Sequence, residues 1–207
     1  MIYLSYLFRA VRYLYRGIEN IIVYIKLKIS LFINNVGHKK VISNGLPYIS
    51  VNIGGCCTFG DNFAMNNGLR FNPIGFPQPC CIVVTKGACL KIGNDVGISQ
   101  ASIICHHSIT IGNNVKIGGG AKIYDTNFHS LDPILRRERN QDMLHKKCAP
   151  VVIEHDAFIG AGVIVLAGVT IGANSIIGAG SVVTKSVPPN QVWGGNPACF
   201  LKNLSYE

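Results

Sequence analysis

Few side chains in this sequence are spaced for chemistry, and each candidate has a plain structural reading beside it. The eight cysteines include the adjacent pairs Cys56–Cys57 and Cys80–Cys81 and no C-x-x-C, so they carry no zinc-ligand spacing. A catalytic zinc held by imidazoles needs three histidines converging on one point. Here His106 and His107 are neighbours, so at most one faces a shared site, and Ile134 stands five residues after His129. The reading is therefore no metal. His129 lies in a polar stretch, where a lone histidine is most simply solvated. A neutral imidazole so placed can also take a proton from a hydroxyl near neutral pH. The segment GDNFAMNNG, residues 60–68, carries Asn66 and Asn67. An amide both donates and accepts, which suits holding a hydroxyl in place, but asparagine also suits corners in the left-handed backbone region.

What positions these residues is a repeat. From residue 153 the chain divides into sixes, IEHDAF, IGAGVI, VLAGVT, IGANSI, IGAGSV and VTKSVP. The leading residues are Ile153, Ile159, Val165, Ile171, Ile177 and Val183. The fifth positions, Ala157, Val163, Val169, Ser175, Ser181 and Val187, are all small or β-branched. The same pattern precedes them from Ile92 through Ile98, Ile104, Ile111, Ile117 and Ile123, with one extra residue after Ile104. A rougher copy starts at Ile53 with IGGCCT and FGDNFA. A period of six fits neither an amphipathic helix nor a simple alternating strand. It fits short strands joined by corners, three sides closing a triangular coil of about 18 residues. Asn114, Gly120, Gly162, Gly168, Asn174 and Gly180 occupy fourth positions, where such corners call for left-handed conformations.

Between Ile123 and Ile153 the pattern lapses: the places due for an aliphatic residue hold His129, Leu135, Gln141 and Lys147. A break of this length inside a strict repeat is a functional or a disordered loop. The expected organisation is an amino-terminal arm over 1–40 and a β-helix domain over 41–207, with its active-site loop at 124–150 and a short C-terminal tail. In the arm, Leu4, Leu7, Phe8, Val11, Leu14, Tyr15, Ile18, Ile22, Ile25 and Ile29 form a helical stripe, with Arg9, Arg12 and Arg16 opposite. The stripe suits packing on the β-helix or a sister subunit, and equally an interfacial helix on a membrane surface.

The chain has 19 Lys and Arg against 10 Asp and Glu, a net charge of +9. Much of the excess lies in residues 1–40, where Arg9, Arg12, Arg16, Lys26, Lys28, Lys39 and Lys40 face only Glu19. The repeats lack the basic stripe with interleaved aromatics that nucleic acid would need. No secretory signal opens the sequence and no apolar run is long enough to span a bilayer. The expectation is a cytoplasmic protein, its cysteines small, buried and reduced, with peripheral contact to the inner membrane face through residues 4–29 left open.

The repeats resemble the hexapeptide-repeat acyltransferase family. Residues 53–202 are similar to its maltose and galactoside O-acetyltransferase branch and to sugar acetyltransferases of exopolysaccharide synthesis. The resemblance implies a left-handed parallel β-helix, acetyl-CoA as cosubstrate and a homotrimer with sites shared between neighbouring subunits. DTNFHSLDP resembles the family's active-site segment and places His129 on the catalytic histidine, a general base acting without a covalent enzyme intermediate. Asp125 and Asp132 are candidates for orienting its ring. GDNFAMNNG places Asn66 on the asparagine that binds the acceptor. CoA contacts carry over to Ala161 and Ala179 along the pantetheine arm, to Thr184 and Lys185 near the phosphates, and to Lys202. Cys199 stands where an arginine often lies near the nucleotide, and it supplies neither charge nor a planar fork.

The function implied is transfer of acetyl from acetyl-CoA to a hydroxyl of a small, sugar-type acceptor. Alternatives are N-acetylation of an amino sugar or another small acceptor, and a non-catalytic scaffold. A metalloenzyme resembling the γ-type carbonic anhydrases is disfavoured by Ile134.

Overall fold

The computed structural model describes residues 2–205, with side chains except at residues 2–5 and 7. Its body is a three-sided parallel β-helix. The first side stacks Gly37–His38, Cys56–Phe59, Cys89–Ile92, Ser108–Ile111, Val151–Ile153 and Thr170–Ile171. The second stacks Val41–Asn44, Phe63–Asn66, Gly97–Ser99, Lys116–Ile117, Phe158–Ile159 and Ile176–Ile177. It ends in Gln191–Gly195 and Ala198–Asn203. The third stacks Tyr48–Val51, Cys81–Val84, Ser102–Cys105, Lys122–Tyr124, Ile164–Val165 and Val182–Val183. Neighbouring strands in these stacks are parallel, except that Ala198–Asn203 folds back antiparallel on Gln191–Gly195. The C-terminal tail is thus a hairpin closing the second side.

The period explains the stacking. Ile153 pairs with Ile171, Ile159 with Ile177 and Val165 with Val183, each eighteen positions on. Like residues therefore lie over like, and all six are buried, as are all six fifth positions. The two buried fifth-position serines are satisfied: Ser175 Oγ donates to Pro188 O at 2.7 Å and Ser181 Oγ to Gly178 O at 2.6 Å. The named fourth positions turn corners with φ between +60° at Asn114 and +82° at Gly168.

Two positions assigned from the repeat are corrected. Ile104 points outward, and its neighbours Ile103 and Cys105 fill the core. The strand Ser102–Cys105 alternates inside and outside, and the extra residue in that coil shifts its phase. Ile53 is 97% exposed. It protrudes from a corner beside Gly54, at φ +85°, and Cys57, Phe59, Phe63 and Met65 supply the early core. The cysteines are all free, but only Cys57, Cys80 and Cys105 are buried, and Cys56 and Cys199 are exposed. Burial pushes the Cys80 thiol up to about 11 and, with Cys56 and Cys89 beside it, Cys57 to about 12, so neither forms a thiolate at neutral pH.

Two excursions leave the prism. Residues 67–80 leave the corner between the second and third sides, and residues 125–150 leave the corner between the third and first. Helix α1 (Ile2–Ile33) precedes the first coil. It ends at Asn35, at φ +49°, with Asn35 N–H donating to Phe32 O and Val36 N–H to Leu31 O, both at 3.0 Å. Leu27 and Leu31 join the core with Val36. Of the alternatives for the stripe, burial against the β-helix is not what the fold shows, and only its Tyr15, Ile18 and Ile22 edge lines a crevice with Leu46. Phe8, Val11, Leu14, Tyr15, Ile18, Ile22, Ile25 and Ile29 are all exposed, and the side chains of Leu4 and Leu7 lie outside those described. The helix docks through the opposite face instead.

The corrected phase can be tested by denaturant unfolding. Ile159→Ala is expected to cost about 2–5 kcal/mol, as for a large-to-small change in a packed core. Ile53→Ala should stay within about 0.5 kcal/mol, as at an unencumbered surface. Equal costs would show that the first coils are phased differently.

Candidate active site

The long excursion begins by sealing the corner it leaves. Asp125 is buried, and its two carboxylate oxygens accept the N–H groups of His106 at 2.7 Å and His107 at 2.8 Å. It therefore fastens the corner one coil earlier and does not orient His129. Asp132 is also excluded from that role: its Oδ1 accepts from Ile134 N–H at 2.7 Å within a local turn. The excursion returns beside its start, with Asn127 N–H on Lys147 O at 3.0 Å and Ala149 N–H on Asp125 O at 2.9 Å. Between them lies α2 (Arg139–His145), capped by the Glu138 carboxylate, which accepts from Asn140 and Gln141 N–H.

Helix α2 supplies the group that sequence reasoning missed. Asp142 Oδ2 lies 2.7 Å from His129 Nδ1, and Oδ1 accepts Ser130 N–H at 2.7 Å. One carboxylate thus grips two consecutive residues of the motif, and Arg136 holds the same turn by donating to Ser130 O at 2.9 Å. The His129 ring hydrogen bond, then the Ser130 N–H, hold Asp142 below the usual carboxylate range. An ionised carboxylate can only accept, so His129 Nδ1 carries a proton, and in the neutral ring this tautomer leaves the lone pair on Nε2. The His129 side chain is 66% exposed, so Nε2 can meet a substrate. No sequence spacing marked Asp142. A helical turn had to form inside the excursion before it could face His129.

Phe128, before His129, stands at φ +62°. For a bulky residue this is a costly conformation that a functional segment can sustain. Its ring meets Tyr124 edge-on at 5.1 Å and His106 at 5.8 Å. Lys146 Nζ donates to His106 Nδ1 at 2.7 Å. Burial, then the Lys146 charge, hold His106 below its ordinary pKa.

Asn66 and Asn67 separate cleanly. Asn67 is 6% exposed: its Nδ2 donates to Ser43 and the backbone at Asn44 and Gly45, and its Oδ1 accepts Cys80 N–H. It fastens the short excursion. Asn66 ends a strand of the second side, accepting from Asn44 Nδ2 at 2.9 Å and donating to Ser99 Oγ at 3.2 Å. Neither sits in a left-handed corner. Asn66 lines a shallow groove with Ser99, Lys116 and Phe158. Asn66 and His129 belong to different corners of the prism, so one chain does not bring them together.

The CoA-contact expectations fall into two groups. Ala161 and Ala179 stack in successive coils at the corner between the second and third sides, with Gly180 N–H on Ala161 O at 2.8 Å. A Cβ on Gly118 would lie 2.5 Å from Ala161 N, and one on Gly160 would lie 2.6 Å from Ala179 N. Successive coils therefore meet backbone to backbone along this corner, where only small residues fit. Thr184 and Lys185 are exposed at another corner and line a crevice with Trp193, Pro197, Ala198, Cys199 and Phe200. Lys185 thus stands beside an aromatic wall formed by Trp193 and Phe200. Lys202 is exposed on the last strand and does not line that crevice.

Comparison with known proteins agrees with this architecture. Residues 150–185 match the family described as bacterial transferase hexapeptide (six repeats). The chain is 31% identical over 156 residues to WbbJ of Escherichia coli (strain K12), named as a lipopolysaccharide biosynthesis O-acetyl transferase, covering 74% of each chain. It is 49% identical over 136 residues to the galactoside O-acetyltransferase of Lactococcus lactis subsp. lactis (strain IL1403), covering 64% of this chain and 62% of that one. Among solved structures, a hexapeptide-repeat containing acetyltransferase of Vibrio cholerae O1 biovar eltor, complexed with acetyl coenzyme A, superposes with a TM-score of 0.56. It has 26% identity and covers 86% of this chain and 76% of that one. The chain belongs to the hexapeptide-repeat acyltransferases, and its three-sided parallel coil is consistent with their left-handed β-helix.

Proposed function

We propose that the protein transfers an acetyl group from acetyl-CoA to a hydroxyl of a sugar-type acceptor, with His129 as general base. The observation that carries this reading is the Asp142–His129 pair at 2.7 Å, which leaves a basic Nε2 exposed in the one long break of the repeat. The names of the galactoside and lipopolysaccharide acetyltransferases among its relatives support the acceptor class. The thioester supplies an already activated acetyl group and a thiolate that can leave. His129 Nε2 would take the proton as the hydroxyl attacks directly, with no covalent enzyme intermediate. Asn66 would hold the acceptor, and Ala161, Ala179, Thr184 and Lys185 would hold the CoA. Lys202 is proposed only as a more distant cation toward the nucleotide end.

Because Asn66 and His129 lie at different corners, the complete site on this reading joins two neighbouring subunits of a closed trimer. A cytoplasmic location follows from the use of acetyl-CoA, and attachment at the inner membrane surface is argued below. The arm over 1–40 and the domain over 41–207 would divide these roles.

Three measurements test the reading. In a turnover assay following released thiol, His129→Ala is expected to lower kcat by roughly 10²–10⁴ with acetyl-CoA affinity little changed. More than half the wild-type kcat would remove His129 from the mechanism. Mixing inactive Asn66→Ala and His129→Ala chains under subunit exchange should restore part of the activity, whereas a fully active monomer by light scattering would refute the shared site.

Asp142→Asn should lower kcat roughly ten- to a thousandfold at constant KM for acetyl-CoA, since only the ring's orientation and tautomer suffer. Its lowered pKa gives a further sign. The carboxylate's hold on the segment is complete above the ordinary carboxylate range and is lost as pH falls through the lowered folded value. Hydrogen exchange at the Ser130 amide, corrected for intrinsic rates, should lose protection in acid in the wild type. In Asp142→Asn it should be weakly protected at every pH. Identical profiles would exclude Asp142 as the anchor.

A further inference from the structure

Helix α1 is mounted with its polar side inward. Leu27 and Leu31 enter the core, and Tyr13, Arg16, Gly17 and Asn20 line a crevice against Asn44, Arg70 and Phe71. Arg70 also holds Glu19, the only acid on the helix. The opposite side is aliphatic. Val11, Leu14, Ile18, Ile22, Ile25 and Ile29 share one face at 100° per residue, and each is exposed. With their flanking neighbours Phe8, Tyr15 and Ile21 they cover about 140° of arc, wider than a two-row coiled-coil seam. Lys28 and Lys26 stand at the two edges of that arc, with Lys28 Nζ 5.7 Å from the Tyr24 ring. No described helix is long and apolar enough to cross a membrane.

Charge selects among occupants. Arg9, Arg12, Arg16, Lys26 and Lys28 all lie on α1, and Glu19 is already engaged. Arg9, Arg12 and Arg16 face away from the stripe, but a second copy laid on it would bring Lys26 and Lys28 against their own counterparts, and Glu19, held by Arg70, is not free to pair them. An anionic lipid surface complements both features: acyl chains take the aliphatic face, while the lysines at its edges reach headgroups on their flexible stems. We propose that the outward face of α1 seats the enzyme in the plane of an anionic bilayer. The crevice under the helix includes Asn44, which donates to Asn66, so the bilayer would lie beside the acceptor groove. Acceptors would accordingly be glycans anchored in that membrane, a step that rests on the acetyltransferase reading above.

Flotation of the full chain decides the docking without reference to activity. With mixed phosphatidylcholine–phosphatidylglycerol vesicles the protein should float, release as salt is raised, and stay behind with phosphatidylcholine alone. The triple variant Leu14→Ser, Ile25→Ser, Ile29→Ser alters exposed stripe positions away from the Leu46 crevice and should lower partitioning roughly tenfold or more. Its mass by light scattering should match that of the wild type. Failure of the intact protein to float on anionic vesicles at low salt, or loss of the oligomer in the triple variant, would overturn the proposal and mark the stripe as a protein interface. The acceptor step has its own readout. Turnover of a glycolipid embedded in anionic vesicles should fall in the triple variant at least as far as partitioning does, while the same glycan in soluble form is acetylated at the wild-type rate. Equal turnover of the embedded acceptor by both proteins would overturn that step. Acetylation of neither form by the wild type would count against the enzymatic reading and leave the flotation result standing.

Discussion

A three-sided coil has room inside for little more than one aliphatic side chain per side and layer, and the next layer lies only about 4.8 Å above it. Ile153, Ile159 and Val165 fill one turn, and Ile171, Ile177 and Val183 repeat it in register. Corners close only where small residues allow backbone to meet backbone. A Cβ on Gly172 would lie 2.4 Å from Pro189 N, and one on Gly112 would lie 2.6 Å from His155 N. Such an interior cannot admit a substrate. Chemistry is confined to the outward faces and to segments that leave the coil.

This confinement explains the form of the site. The prism is rigid, and a corner offers its side chains to solvent without enclosing anything. The excursion over 125–150 solves part of that problem by building its own support: α2, its Glu138 cap, Arg136 and Asp142 converge on the two residues that follow Phe128. The left-handed backbone of Phe128, costing on the order of 1–3 kcal/mol, survives because the surrounding bonds over-determine it. What the excursion does not supply is a second wall. The groove at Asn66 lies on another side, and equivalent surfaces of a neighbouring copy are the simplest source of the missing half.

The division between what was legible in the sequence and what was not follows the range of the interactions. The repeat is local and periodic, so every leading and fifth position from Ile153 onward proved buried, and the Gly and Asn corners took the conformations expected of them. Phase failed at Ile104 and Ile53, where an inserted residue or a protruding corner breaks the count. The partner of His129 was not legible: Asp125 and Asp132 were candidates by nearness in sequence, whereas Asp142 is near only after α2 has formed. Asn66 and Asn67 could not be told apart by type. Burial and four hydrogen bonds from the Asn67 side chain distinguish the fastener from the residue facing the groove.

The amino-terminal helix was legible as amphipathic, while the sequence left open whether its stripe meets the body, a sister subunit or a membrane. Amphipathicity alone says that a face will be covered, not by what. The prism is already full, and its outer surface beside the helix offers only a mixed crevice lining of Asn44, Arg70, Phe71 and Leu46. Helix and body meet through polar side chains and Glu19–Arg70 on one flank and through Ile18, Ile22 and Val23 beside Leu46 on the other, and the last turns contribute Leu27 and Leu31 to the core. An exposed aliphatic face running most of a 32-residue helix is costly in water and is retained only where something outside the chain covers it. The fold thus places hydrophobic residues in two ways: inside, where periodicity fixes the scaffold, and outside, in a helical stripe unrelated to that periodicity and left for a partner to cover.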